Sequence, residues 1–213
     1  APMQYYSYIT GNSISSFELP DGTEISLNKN SKLSYSSLYG EQVREVSLDG
    51  EGFFTVTKDK EKAFVVDLNG SKISVLGTVF NVKNYRKEDI TTATLVEGSI
   101  RFETPDQQIV LKPDQQLVFN KSSNKIDMAN VSTDLVTAWK SHLIKYRSVP
   151  FREFLDMLKE RYEVEIILSN EALGDQKVTG SFDESLAVDQ ILDLMKKNLV
   201  FRWKKQGESY VIN

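Results

Sequence analysis

The chain has no cysteine. Disulfide frameworks, thiolate nucleophiles and cysteine-ligated metal centres are thereby excluded. Histidine is almost as scarce, with His142 the only one in 213 residues. Nucleophilic catalysis of the triad kind needs a histidine beside a serine or cysteine and a third group to orient it. His142 lies in the junction WKSHLIKY, and no GxSxG accompanies it anywhere in the chain. Metal motifs are missing too, with no HExxH and no DxDxDG loop. No segment approaches the roughly 18 apolar residues that span a bilayer. The opening APMQYYSYIT has neither the basic nor the apolar region of a signal peptide, so any anchor or export signal is expected to lie outside this stretch. A basic excess is also lacking. Residues 1–137 hold 14 Lys and Arg against 18 Asp and Glu, and residues 138–213 hold 12 of each. A nucleic-acid partner is therefore not expected, and no catalytic residue, metal site or cofactor is read from the sequence.

What is present is a dense β-pattern. Short apolar–polar alternations recur at residues 23–27, 43–48, 53–57, 63–68, 73–82, 92–96, 99–103, 109–111 and 117–119. Turn pairs stand between them: Asp21-Gly22, Asp49-Gly50, Asn69-Gly70, Glu97-Gly98 and Pro113-Asp114. Period-2 alternation bounded by such pairs marks hairpins and tight arches. An all-β domain over residues 1–134 is expected, a twisted β-solenoid or a sandwich, with Gly50 and Gly98 serving turns. The stretch VLGTVFNVKNY poses a separate problem. Its apolar phase is odd before Gly77 (Ile73, Val75) and even after it (Phe80, Val82). One residue of slip turns every side chain to the opposite face, so Gly77 is expected at a bulge or corner. A phosphate loop is excluded there, because no GxxxxGK[ST] or GxGxxG surrounds it.

The segment KSSNKIDMANVSTD (121–134) reads as a last strand near residues 126–128 followed by a polar linker. Beyond it the period changes. Phe151, Phe154, Leu155, Leu158 and Tyr162 fall on one helical face, and Pro150 suits the first turn. A second copy follows 37 residues on: Leu155, Asp156 and Lys159 superpose on Leu192, Asp193 and Lys196. Val188, Ile191, Leu192 and Met195 form its helical face, with Ser185 as candidate N-cap. A small α+β domain over residues 135–213 is expected, built of duplicated β-α-β units and a final strand. Trp139 is a candidate to pin the linker into its core.

Asp49 and Glu51 have the spacing of a carboxylate pair, but they flank a glycine and are read as turn residues. Most aromatic residues fall on the apolar phase and are read as core. The terminal sequence FRWKKQGESYVI reads as a short hairpin. A terminal strand at a sheet edge invites strand addition by a partner. Arg202, Lys204, Tyr210, Val211 and Ile212 are therefore the candidate partner-binding residues, the two cations steering an acidic partner.

Several stretches, taken in order, carry a family likeness: LPDGTEISLNKNSKLSY (19–35), REVSLDGEGFFTV (44–56), VLGTVFNV (75–82), TLVEGSI (94–100), LKPDQQ (111–116), WKSHLIKYRSVPFREFL (139–155) and TGSFDESLAVDQIL (179–192). Together they resemble the FecR family of anti-sigma factors. Two positions depart from the family pattern, Asp114 and His142, each standing where a glycine is usual; Asp114 is expected to keep its turn in the left-handed conformation. The resemblance implies the periplasmic part of an inner-membrane-anchored protein. The membrane helix and the cytoplasmic segment that holds an extracytoplasmic-function sigma factor would lie outside this chain. It implies as partner the N-terminal signalling domain of a TonB-dependent outer-membrane receptor. It also implies that the C-terminal domain is similar to the short N-terminal domain of secretins and TonB-dependent transducers. A glycan-binding or interaction β-module without signalling is the alternative, and it would need exposed aromatic platforms flanked by carboxylates and amides.

Overall fold

Strands that bury one face each must close on one another to form a core. The computed structural model describes residues 3–197 and 199–213 and separates them into two units, one ending at Lys140 and one beginning at Ser141. The N-terminal unit is a 13-stranded sheet. Its strands are β1 (Tyr5–Ile9), β2 (Ser15–Glu18), β3 (Glu24–Leu27), β4 (Lys32–Ser36), β5 (Arg44–Thr55), β6 (Phe64–Asp67), β7 (Lys72–Val75), β8 (Val79–Asn84), β9 (Ile90–Glu97), β10 (Ile100–Glu103), β11 (Gln108–Leu111), β12 (Gln115–Asn120) and β13 (Lys125–Asn130). A one-turn helix α1 (Thr133–Val136) and a 3-10 turn (Ala138–Ser141) follow.

The path runs β11-β10-β7-β6-β5-β8-β9-β12-β13, with β4 and β3 also paired to β5. The first half of β5 pairs with β4 and β6, the second half with β3 and β8. The sheet curls at this strand, and side chains from both halves, such as Leu33, Val46, Phe64 and Phe102 with Ile25, Phe54, Phe80 and Leu117, share one core. The result is a single curled, half-barrel sheet. A solenoid would stack parallel coils, whereas here only β5–β6 is parallel among the described strand pairs of this unit.

The turn pairs behave in two ways. Asn69 and Gly70 have φ of 59° and 116° between β6 and β7, the positive pair that a tight hairpin requires. Gly98, with φ of 95°, joins β9 to β10. Asp49-Gly50, however, is no turn. Residues 44–55 form one strand, and Gly50 sits inside it at φ of 130°. A dipeptide that signals a hairpin also suits a strand that must bend in mid-course.

At the Gly77 corner, β7 ends at Val75 and β8 starts at Val79. Gly77 has φ of 150°, and a Cβ there would come within 2.7 Å of Lys58 Cα. The close approach has a cause: Val56 N–H donates to Thr78 O and Asp59 N–H to Leu76 O, which lays residues 56–59 along the corner. Gly77→Val should destabilise this unit by about 1–3 kcal/mol, read as a lowered urea midpoint at unchanged m-value; an unshifted midpoint would refute the corner.

Residues 125–130, within the expected linker, are strand β13, in register with β12 from Lys125↔Asn120 to Asn130↔Gln115. The change of unit falls after Lys140, six residues beyond the expected boundary. Trp139 belongs to the N-terminal unit and not to the C-terminal core. Its indole donates to Asn81 Oδ1 at 3.0 Å. Asn81 in turn donates to Glu51 Oε1 at 2.9 Å, and Asn28 donates to Glu51 Oε2 at 2.9 Å. This network occupies Glu51, one member of the sequence's carboxylate pair.

The C-terminal unit comprises β14 (Leu143–Pro150), α2 (Phe151–Tyr162), β15 (Glu165–Leu168), α3 (Glu171–Gly174), β16 (Lys177–Asp183), α4 (Val188–Met195), β17 (Trp203–Gln206) and β18 (Ser209–Ile212). Phe151, Phe154, Leu155 and Leu158 of α2 and Val188, Ile191, Leu192 and Met195 of α4 are buried, each set on the face the periodicity marks. Pro150 stands at the N-cap, one residue before the helix and at the end of β14. The α4 N-cap is Ala187, whose N–H donates to Gln190 Oε1. Ser185 bonds Asp183 instead.

The chain runs β14-α2-β15, then α3, then β16-α4-β17, and residues 37 apart make like ion pairs, Asp156–Lys159 at 2.8 Å and Asp193–Lys196 at 2.9 Å. β14 nevertheless does not pair with β15, nor β16 with β17. β14 pairs with β16 in one small sheet, while β15 and β17 flank β18 in another.

Candidate interaction surface

The three-stranded sheet orders as β15-β18-β17, with β15 parallel to β18 and β17 antiparallel to it. The last strand of the chain is therefore the middle strand. Its backbone groups are engaged on both sides, so it is not available for strand addition. Tyr210 and Ile212 are buried, and the Tyr210 hydroxyl donates to Asp189 Oδ1 at 2.5 Å. That hydrogen bond to a carboxylate, together with burial, raises the phenol's pKa. Both residues are core, which corrects their assignment as partner contacts.

The other candidates lie elsewhere. Lys204 is exposed on β17, opposite Val211. Arg202 is exposed, and its backbone N–H and C=O pair with Asn213. Opposed residues share a face, so Lys204, Val211 and Ile167 of β15 project from the side away from Tyr210 and Ile212. Ile167 is 46% exposed. Sequence reasoning missed it, because a four-residue strand shows only two side chains per face. β17 itself is an edge. Its inner side is held by Trp203, whose indole donates to Asp193 Oδ1 at 2.9 Å under Lys196. Two hydrogen bonds, from Lys196 and from the Trp203 indole, hold the Asp193 carboxyl below its usual range. The surface is thus an edge strand with cations, beside a small apolar stripe on a half-covered sheet.

His142 Nδ1 lies 3.1 Å from Glu184 Oε1, which belongs to a carboxylate that also accepts from Arg161 at 2.7 Å. Among the described hydrogen bonds, His142 has no serine hydroxyl as partner. Among the described residues, no group of three or more His, Asp and Glu could hold a metal ion, and no helix is long and apolar enough to cross a membrane.

Two family models match the chain in succession. The model described as FecR protein matches residues 6–101, and the one described as FecR, C-terminal matches residues 143–212. The chain belongs to the FecR family of anti-sigma factors. FecR proteins are regulators and not catalysts, so this chain has a regulatory role in signal transduction. Two crystal structures of a candidate anti-sigma factor from Parabacteroides distasonis ATCC 8503, at 1.65 and 2.50 Å, are similar in fold. The first is 25% identical with a TM-score of 0.67, covering 98% of both chains. The second is 25% identical with a TM-score of 0.66, covering 99% of this chain and 98% of the other. No curated protein matches. Asp114 and His142, the two departures from the usual FecR glycines, have φ of 66° and 57°. Both are in the left-handed region, as expected for Asp114, at a cost that aspartate tolerates better than most residues.

Proposed function

We propose that the chain is the periplasmic part of a membrane-anchored FecR protein. An outer-membrane TonB-dependent receptor binds its cargo and presents its N-terminal signalling domain. The C-terminal unit receives that domain, and the event is passed inward by regulated proteolysis or release. The output is control of an extracytoplasmic-function sigma factor held by a cytoplasmic segment outside this chain. The observation that carries the proposal is the ordered match of both FecR models, one to each unit. The similarity of the C-terminal unit to the short N-terminal domain of secretins and TonB-dependent transducers is part of the same proposal.

The docking site is the β17 edge with Arg202 and Lys204, extended over Ile167 and Val211. An open edge supports strand addition, and exposed cations steer an acidic partner mainly through the association rate. Arg202→Glu with Lys204→Glu should slow association with the cognate signalling domain severalfold at low salt, less at high salt, without unfolding the unit. Surface-plasmon measurements at two salt concentrations decide this. An unchanged association rate would remove this edge from the interface. No binding by the wild-type chain at either salt would overturn the receptor reading itself.

A further inference from the structure

The N-terminal unit has a trough on its outer face that the receptor reading does not use. Pairing of β4 with β5 stops at Ser34↔Ser47, while β4 continues to Ser36 against β1. Beyond that point the strands part and residues 37–43 bridge them, leaving a groove of about 420 Å³. Tyr5 of β1, Ser34 and Ser36 of β4, Glu45 and Ser47 of β5 and Gln42 of the bridge line it. Ser34 is opposite both Ser7 and Ser47, which sets three hydroxyls in a row across three strands. Tyr5, opposite Ser36, is 70% exposed, so its ring stands free on a paired strand. A second depression of about 180 Å³ starts from the same Ser34 and Ser47 and runs on to Asp49, Asp67, Asn69 and Arg86. Its carboxylates are already fixed: Asp49 accepts from the Arg86 N–H at 2.9 Å, and Asp67 from the Ser47 hydroxyl at 3.1 Å.

We propose that this trough binds a neutral oligosaccharide, with Tyr5 as its stacking platform and Gln42, Glu45, Ser34, Ser36 and Ser47 as its hydroxyl partners. A sugar ring has an apolar C–H face and a rim of hydroxyls. It is recognised by an aromatic plane next to groups that both donate and accept. The larger groove has the volume of an organic-ligand site. The second depression in line with it suits a chain of sugars better than a single ring. Charge selects against an anion, because at the Tyr5 end the charged lining is acidic only, Glu41 and Glu45. This site lies in the other unit from the receptor contact and does not rest on it.

The test is calorimetric titration of the whole chain with maltohexaose, cellohexaose, xylohexaose, mannohexaose and chitohexaose, with polygalacturonate as the anionic control. At least one neutral hexasaccharide should bind with a millimolar or lower Kd. Tyr5→Ala and Gln42→Ala alter exposed side chains and should leave the unfolding midpoint in place. Tyr5→Ala should weaken binding about fivefold or more, and Gln42→Ala should weaken it measurably. The proposal fails if no neutral hexasaccharide binds up to about 10 mM, if polygalacturonate is preferred, or if both variants bind as the wild type does. Loss of receptor binding in the Arg202 and Lys204 variant would leave all these outcomes unchanged.

Discussion

Arg44→Leu should destabilise the N-terminal unit by about 3–5 kcal/mol, because it strips a buried polar cluster of the guanidinium that donates four hydrogen bonds to it. The Arg44 side chain is 3% exposed. Its guanidinium donates to Asp21 Oδ2 at 2.9 Å, to Thr57 O at 2.7 Å and to Lys62 O at 3.0 and 2.8 Å. One side chain at the start of β5 thus ties down the β2–β3 turn and the segment between β5 and β6. Leucine fills part of the volume but leaves the Thr57 and Lys62 carbonyls without this donor and the Asp21 carboxylate with its Thr23 bonds alone, and the unmet groups dominate the loss. The effect should depend on pH. Burial alone would raise the Asp21 pKa, but hydrogen bonds from Arg44 and Thr23 outweigh it and the net shift is downward. A carboxyl lowered in the folded state contributes stability above its unfolded pKa of about 3.9, and that contribution is lost as pH falls through the folded value. Urea titrations at neutral pH and near pH 3 should show the gap between wild type and Arg44→Leu narrowing in acid. A gap under about 1 kcal/mol at neutral pH would mean that water replaces the guanidinium.

Gly50→Ala is the second large effect, expected at about 3 kcal/mol or more. A single methyl is rarely so costly on a strand. Here its Cβ would lie 2.2 Å from Ser31 Oγ and 2.6 Å from Ser31 Cα, at φ of 130°. Ser31 has no room to retreat: it is 2% exposed, and its hydroxyl accepts from the Glu51 N–H at 2.9 Å and donates to Lys29 O at 3.1 Å. Two contributions can be separated. Adding Ser31→Gly removes the Oγ and Cβ overlaps but leaves the Cα overlap and the backbone strain, so thermal unfolding should recover in part. Full recovery would show that φ at Gly50 carries no cost, and a near-native midpoint for Gly50→Ala alone would show that β5 does not bend there.

Those two residues also mark where the sequence stops being informative. Local patterns translated well. The phase flip at Gly77, the Asn69-Gly70 hairpin and the faces of α2 and α4 rest on spacing within about ten residues, and the backbone follows them. Asp49-Gly50 misled because the same left-handed-tolerant dipeptide serves a turn and a bent strand, and only the close approach of Ser31 and the pairing with Asn84 distinguish the two. The terminal hairpin was legible as a hairpin, but its place in the sheet was not. β18 becomes the middle strand through parallel pairing with β15, more than 40 residues away, and nothing in SYVI announces that partner. Trp139 was assigned to the wrong unit for a similar reason, since its acceptor, Asn81, is 58 residues upstream. Of the candidate surface, the cations Arg202 and Lys204 could be read from strand phase. The exposed Ile167 and the Tyr5 groove could not, because each depends on which strand is left at an edge.

β5 has a further consequence. It is the only strand of the N-terminal unit hydrogen-bonded to four described neighbours, β3, β4, β6 and β8. A sandwich of two separate sheets can open one leaf while the other holds, exposing a long half-folded edge to proteases and to other chains. Here both leaves hang on one hinge pin. Losing it would remove a hydrogen-bonded neighbour from both at once. For a protein whose signal is proposed to pass inward by regulated proteolysis or release, a sheet pinned at one strand favours a silent resting state.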